Sequence, residues 1–307
     1  MEKVVVIAGP TASGKTELAI NLAKQVSGEI ISADSMQIYK YMDIGTAKPS
    51  KEEMQGIPHH MLDVVSPEDA FSVAAYKEKA DVIIRNILDK NKLPIVTGGT
   101  GLYINSLIYN IKFSETVCDE EFREKMNRVA AAEGQKKLHE MLEKVDPVSA
   151  GRIHCNNVKK VIRALEVYEF TKKPISLHQE ESRMEPPPYD YLIFILDMDR
   201  DVLYQRIDAR VDYMVANGLI EEVKSLKEMG YNEKLTSMQG LGYKEIFRYL
   251  NNKISYEDAI NIIKRDTRHY AKRQITWFKA IPKATWLTAG KGNIEKNTKI
   301  IKDQLET

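Results

Sequence analysis

Cysteine is nearly missing from this chain, with two residues, Cys118 and Cys155, in 307. Their spacing fits no metal-binding pattern. So few thiols exclude a disulfide-stapled secreted domain and point to a reduced, cytosolic setting. An excess of charge of one sign is missing as well. Lys and Arg number 45 against 44 Asp and Glu, a formal net charge of +1, so any basic surface that recruits nucleic acid has to be local. No apolar run approaches the roughly 20 residues of a membrane span, which argues against a membrane partner. The N-terminus runs straight into a strand-like segment, with no charged-then-apolar leader. Internal repeats and low-complexity tracts are absent too. The expectation is a cytoplasmic monomer with one large α/β core and a smaller second domain.

What is present is a complete phosphate-binding loop. Gly9-Pro10-Thr11-Ala12-Ser13-Gly14-Lys15-Thr16 fits the pattern G-x-x-x-x-G-K-[ST]. Val4 to Ala8 before it is a β-branched apolar run suited to a buried parallel strand. Glu17 to Lys24 after it is helix-forming, with Leu18, Leu22 and Ala23 on one side. In such a strand–loop–helix, backbone N–H groups and a helix N-terminus converge on phosphate oxygens. Lys15 is expected at the terminal phosphates and the Thr16 hydroxyl on Mg²⁺. The ligand is a diphosphate or a triphosphate.

The first third alternates strand and helix signals, as in a doubly wound α/β domain. Glu29 to Asp34 and Leu93 to Thr97 read as strands, and Val73, Tyr76, Ala80, Ile83, Ile84, Ile87 and Leu88 form a helical stripe between them. A late buried strand follows at Tyr191 to Leu196. The stretch between shows only helical periodicity: Phe122, Met126 and Val129; Leu138, Met141, Leu142 and Val145; then Val158, Val161, Ile162, Leu165 and Tyr168. Pro186 to Pro188 makes a stiff return. The reading is a parallel-sheet core of the P-loop NTPase type, residues 1–113 and 189–307, with an all-helical domain, 114–188, inserted into it. The chain is largely helical from Leu203, and 291–307 reads as a surface helix or tail.

Several other segments carry chemistry. Asp34-Ser35-Met36-Gln37 falls at the end of the second strand, and ligands of open α/β sheets lie outside strand carboxyl ends. A carboxylate there can act as a general base or a Mg²⁺ ligand. Thr97-Gly98-Gly99-Thr100-Gly101 follows the third strand; its glycines allow close backbone approach and Thr100 offers a hydroxyl. His59 and His60 point apart and lack further ligands at metal spacing, so a structural or substrate-lining loop is expected. Arg206 and Arg210, four apart, share a helix face; they either pair with Asp208 and Asp212 or clamp a departing phosphate. Lys264 to Phe278 is the densest basic stretch, with Arg265, His269, Lys272 and Thr276 on one face and Tyr270, Trp277 and Phe278 as aromatic surface. Together with Arg152, Lys159, Lys160 and Arg163 it suits RNA.

The ordered series Gly9–Thr16, Asp34-Ser35-Met36-Gln37-Ile38-Tyr39, Gly45-Thr46-Ala47-Lys48-Pro49, Pro58-His59-His60 and Gly98-Gly99-Thr100-Gly101-Leu102-Tyr103 resembles the bacterial tRNA dimethylallyltransferase family. The later blocks Arg163-Ala164-Leu165-Glu166, Gly240-Leu241-Gly242-Tyr243 and Arg273-Gln274-Ile275-Thr276-Trp277-Phe278 continue it. The resemblance implies transfer of a dimethylallyl group from dimethylallyl diphosphate to N6 of the adenosine beside the anticodon of tRNA, position 37. It implies Asp34 as the base, Thr100 on the bridging oxygen of the diphosphate, and Lys15, Thr16, Mg²⁺ and Arg210 on the leaving group. It also implies tRNA contacts from Asp34, Ser35, Met36, Gln37, Thr100, Arg123, Lys159, Lys160, Val161, Ile162, Arg163, Arg265, Lys272 and Arg273, with the insert gripping the anticodon stem-loop. Lys159-Lys160, Cys155 and the glycine-free Thr171-Lys172-Lys173-Pro174 depart from the family pattern. Two other readings share the phosphate loop: a nucleoside or shikimate-type kinase, which consumes ATP, and a prenyltransferase acting on free AMP or ADP. A guanine-binding Asn-Lys-x-Asp motif is missing at Asn91-Lys92-Leu93-Pro94.

Overall fold

Consecutive β-branched residues at Val4, Val5, Val6 and Ile7 suit a strand covered on both faces, and all four are fully buried. In the computed structural model, which describes residues 1–113, 119–182 and 185–307, this strand lies inside a six-stranded parallel sheet. The strands are β1 (Lys3–Ala8), β2 (Gly28–Ser32), β3 (His59–His60), β4 (Leu93–Gly98), β5 (Asp190–Asp197) and β6 (Thr285–Thr288). Their order is β3-β2-β4-β1-β5-β6, with Val5 opposite both Ile95 and Leu192. The α/β class with a phosphate loop after the first strand is as expected. Strands β3 and β6 were not expected: two and four residues are too short to show a period, and pairing with β2 and β5 defines them.

Two compact units divide the chain, Met1–Leu107 with Pro188–Thr307, and Ile108–Pro187. In the first, helices Lys15–Val26 and Ile294–Leu305 cover one sheet face through Leu18, Leu22, Phe194 and Ile301. The last helix is therefore part of the core, with Ile301 fully buried, rather than the surface helix or tail expected for 291–307. Helix Val73–Leu88 packs on β2 and β4. A second cluster joins Ile38, Tyr39 and Met42 to Val211, Leu219, Val223, Tyr243, Phe247 and Ile263. It fixes the loop after β2 against helices Arg200–Ala216, Leu219–Glu228, Tyr243–Leu250 and Tyr256–Phe278.

The second unit is built from helices Glu120–Glu133, Gln135–Val145, Pro147–Arg152, Val158–Thr171 and Ile175–Glu181. Its core holds Met126, Leu138, Leu142, Val161, Ile162 and Leu165. Glu166, fully buried there, accepts two hydrogen bonds from Arg123, at 2.8 and 2.9 Å, and one from Arg163 at 2.6 Å. Burial opposes its charge, and the two guanidinium groups overcome that, holding the carboxyl below its ordinary value.

Candidate active site

Because β2, β4 and β1 are neighbours in the sheet, the loops that leave their carboxyl ends are neighbours too. These loops are the Asp34 turn, the Gly98–Gly101 turn and the phosphate loop. The last needs unusual backbone: Ala12 has φ 63° and Gly14 φ 89°, a left-handed sequence that turns successive N–H groups inward. Gly98 abuts the strand end of β2 so closely that a Cβ would collide with the Ala33 carbonyl. The Ala33 carbonyl also accepts the Thr100 N–H at 3.0 Å. Thr100 Oγ1 in turn accepts the Ser35 N–H at 3.0 Å and lies 3.3 Å from Ser35 Oγ. The Asp34 turn is closed by its own carboxylate, Oδ1 accepting the Met36 N–H at 2.9 Å. That leaves Oδ2 for the cavity that Asp34 lines.

This cavity, of about 340 Å³, is walled by Thr11, Asp34, Ser35 and Met36, by Arg210, Met214 and Tyr243, and by Tyr270 and Arg273. Arg210 reaches the phosphate loop, its Nη1 3.5 Å from Thr11 Oγ1. Of the two readings open for Arg210, pairing with aspartates of its own helix does not occur. Asp208 takes Arg268 at 2.5 Å and Asp212 takes Lys264 at 2.6 Å, so both acids are spent on helix Tyr256–Phe278. Arg206 lies apart from the cavity, in a small crevice beside Ser13, Gly14 and Glu17. Lys15 Nζ donates to the Pro10 carbonyl at 2.8 Å within its own loop. Burial and the neighbouring Arg210 push its pKa down to about 7, against a smaller upward pull from Asp34. Thr16 is exposed at the loop's end, and Ser13 Oγ is buried without a hydrogen-bond partner.

The basic helix divides its residues differently from expectation. Arg265, Lys272 and Trp277 are exposed, but Phe278 is fully buried and adds no aromatic surface. Tyr270 belongs to the cavity wall, beside Thr100 and Gln274; burial pushes its hydroxyl up to about 12, so it stays protonated. In the helical unit, Lys159 and Lys160 are exposed. Val161 and Ile162 are core residues, their side chains packed inside the unit. Arg123 and Arg163, 39% and 37% exposed, are tied to Glu166. Met36 and Gln37 also separate: Met36 lines the cavity, and Gln37 braces the loop through Ser32 Oγ and the Thr46 and Ala47 carbonyls.

His60 is engaged by a carboxylate. Its Nε2 pairs with the buried Glu29 at 2.7 Å, and among the described residues there is no group of three or more His, Cys, Asp or Glu suited to an ion. Cys155 is unpaired, and Cys118 lies outside the described residues. No helix among the described residues is long and apolar enough to cross a membrane.

Two residues went unrecognised in the sequence. Glu222 accepts the N–H groups of Asp43, Ile44 and Gly45 at 2.8, 2.7 and 3.1 Å and the Tyr243 hydroxyl at 2.6 Å. It thus draws together the Gly45-Thr46-Ala47-Lys48 and Gly240-Leu241-Gly242-Tyr243 segments that border the cavity. Gln274 bridges the phosphate loop and the glycine turn. Both were hidden because their partners are distant in sequence; for Gln274, an amide at helical spacing among Ile263, Ala271 and Phe278 was the one available signal.

The IPP transferase family profile matches residues 37–281. The tRNA dimethylallyltransferase of Acetivibrio thermocellus is 57% identical over 303 residues, 99% of this chain and 96% of that protein. That of Caldanaerobacter subterraneus subsp. tengcongensis is 56% identical over 286 residues, 92% of this chain and 91% of its own. Among solved structures, the full-length tRNA isopentenylpyrophosphate transferase of Bacillus halodurans is 42% identical, with a TM-score of 0.74 over 100% of this chain and 97% of that one. A eukaryotic dimethylallyltransferase acting on tRNA is 32% identical, with a TM-score of 0.78 over 95% of this chain and 75% of its own. With near-complete coverage at such identity, and with three ligand-facing loops side by side on β2, β4 and β1, the chain belongs to the IPP transferase family, that of the tRNA dimethylallyltransferases.

Proposed function

We propose that this protein transfers a dimethylallyl group from dimethylallyl diphosphate to N6 of the adenosine beside the anticodon of tRNA, position 37, in the cytoplasm, and releases diphosphate. The observation that carries the reading is the cavity that joins Asp34 to Thr11 and Arg210, a carboxylate facing a phosphate-binding edge. The exocyclic amine of adenine is a poor nucleophile because its lone pair is delocalised into the ring. An allylic diphosphate compensates, provided the charge of its leaving group is held. Lys15, Arg210 and the loop N–H groups supply that hold. Asp34, with Oδ1 fixed by the Met36 N–H, presents Oδ2 to accept the N6 proton as the amine attacks C1 of the allyl group. Thr100, whose Oγ1 accepts the Ser35 N–H and donates to Ser35 Oγ at 3.3 Å, would turn its hydrogen from that long bond to the bridging oxygen as the C–O bond breaks.

Mg²⁺ fits the residues present. Oxygen is the donor type on offer, with Thr16 exposed at the loop's end and no His or Cys cluster among the described residues, which suits an ion that keeps waters and shares phosphate oxygens. When bound it neutralises part of the charge on the diphosphate. The target adenine has to leave the anticodon stack to reach Asp34, so the bound base is flipped. The helical unit, with Lys159 and Lys160 exposed, and the exposed Arg265 and Lys272 are proposed to hold tRNA phosphates, and Arg273 at the cavity to lie near the flipped nucleotide. The test offers labelled dimethylallyl diphosphate and Mg²⁺ with tRNA, AMP or a nucleoside plus ATP in parallel. Label is expected on tRNA alone, without ATP. Label on AMP, or ATP-dependent phosphorylation, would overturn the proposal in favour of the nucleotide prenyltransferase or the kinase.

A further inference from the structure

Gln274 is a buried amide, 5% exposed, on the helix Tyr256–Phe278, and no step above uses it. Its Oε1 accepts the Thr11 N–H at 2.9 Å and its Nε2 donates to the Gly99 carbonyl at 2.8 Å. An N–H can only donate and a carbonyl can only accept, so the amide is held in one orientation. The fit leaves no slack, since a Cβ on Gly99 would collide with Gln274 Nε2. One turn earlier on the same helix, Tyr270 lies beside Gln274 and Thr100, so a single helix face meets both the phosphate loop and the turn that carries Thr100. That turn is pinned to the strand end bearing Asp34 through the Thr100 N–H on the Ala33 carbonyl, 3.0 Å, and the Ser35 N–H on Thr100 Oγ1, 3.0 Å. A continuous chain of short bonds therefore runs from Thr11 through Gln274, Gly99 and Thr100 to the two neighbours of Asp34.

We infer that Gln274 is a positioning residue for prenyl transfer, its amide setting the spacing between the loop that holds the leaving diphosphate and the carboxylate that takes the proton. The inference rests on the prenyl-transfer reading above. The geometry demands glutamine. Asparagine is one methylene too short to span both loops, and methionine fills the volume but makes neither bond. Glutamate keeps the acceptor for Thr11 and sets an oxygen against the Gly99 carbonyl.

The test compares wild type, Gln274→Met and Gln274→Glu by thermal melting, by steady-state transfer to tRNA, and by hydrogen exchange at the Thr11 amide. Positioning errors of about 1 Å cost on the order of 10²-fold in rate. The expected result for folded Gln274→Met is a kcat lowered by about 10- to 100-fold, KM for both substrates within about threefold, and faster exchange at Thr11. In a double-mutant cycle, Asp34→Ala should cost less in the Gln274→Met background than alone, because alignment is already lost. A folded Gln274→Met with wild-type kcat, or losses strictly multiplicative with Asp34→Ala, would overturn the inference and leave Gln274 a packing residue. If Gln274→Met does not fold, the same two readings on Gln274→Glu decide. Wild-type protein that transfers no prenyl group overturns the functional reading instead, and the Thr11 exchange still reports on the bridge.

Discussion

Lys15 offers a test of the diphosphate site that needs no tRNA. In the free protein its pKa is about 7, lowered by burial first and by Arg210 second, from an ordinary value of 10.5. A diphosphate beside it favours the charged form, so binding draws a proton onto Lys15 wherever the free lysine has lost it. At pH 6 about nine-tenths of free Lys15 is protonated, and at pH 8 about one-tenth. Binding at pH 8 should therefore take up close to one proton, and at pH 6 almost none. The affinity for pyrophosphate should fall about tenfold per pH unit above pH 7, relative to Lys15→Met, in which the dependence due to this group is gone. Calorimetric titrations at fixed Mg²⁺, in two buffers of different ionisation enthalpy, read the proton count directly. The same proton uptake at pH 8 in wild type and Lys15→Met would refute the assignment of Lys15 to the phosphates.

The sign for stability is opposite to that of a stabilising pair. A lysine whose folded pKa lies below its unfolded one leaves the unfolded chain binding the extra proton between pH 7 and 10.5, so stability rises with pH across that window. The penalty is fully present below pH 7 and disappears above 10.5. Lys15→Met should accordingly raise Tm more at pH 6 than at pH 10.

Other outcomes follow from the same geometry. Asp34→Ala should lower kcat by about 10²- to 10⁴-fold, the range for a general base, with tRNA affinity much less affected; near-normal turnover would make Asp34 structural. Affinity for tRNA should fall steeply with salt, and Lys159→Ala with Lys160→Ala should flatten the log–log slope by about 0.7–0.9 for each phosphate left without its lysine; an unchanged slope removes these lysines from the RNA surface. Glu166→Ala should destabilise the helical unit by about 1–3 kcal/mol, less than a fully buried pair because the Arg123 and Arg163 side chains are 39% and 37% exposed. Chemical denaturation checks the last, and a stability unchanged within error would show the triad to be inconsequential.

The parts of this molecule legible in its sequence are those whose meaning is local. A phosphate loop is a run of eight residues, and β1 before it announces itself by four consecutive buried β-branched side chains. Three of the five described helices of the second unit were visible for the same reason, since Leu138 and Leu142 or Val161 and Leu165 mark one face at helical spacing. Elements created by pairing were invisible: β3 is a strand only because His59 and His60 lie beside Ile30 and Ile31. Residue type also misled where burial decides. Phe278 and Trp277 are adjacent aromatics on one helix, and only the structure separates a core residue from an exposed one. Arg123 carries charge that suits RNA, but its tie to Glu166, 43 residues away, could not be read from a linear pattern, whereas the Arg163–Glu166 pair, three apart on one helix, is of a readable kind.

Charge distribution links these observations. The chain carries a formal net charge of +1, which gives it no field to attract polyanions from a distance. At the cavity, however, Arg210 and Arg273 face a single carboxylate, Asp34, with Lys15 close behind. The aspartates that would have neutralised the Arg200–Ala216 helix, Asp208 and Asp212, are paired with Arg268 and Lys264 on the neighbouring helix. Burial depresses the pKa values of both Lys15 and Arg210, and the arginine depresses that of the lysine further. Buried cations, one of them with a pKa lowered to about 7, are poorly matched to an empty site and well matched to a multiply charged anion. Such a site gains most when negative charge develops at the departing diphosphate, which is the condition for stabilising the transition state more than the ground state.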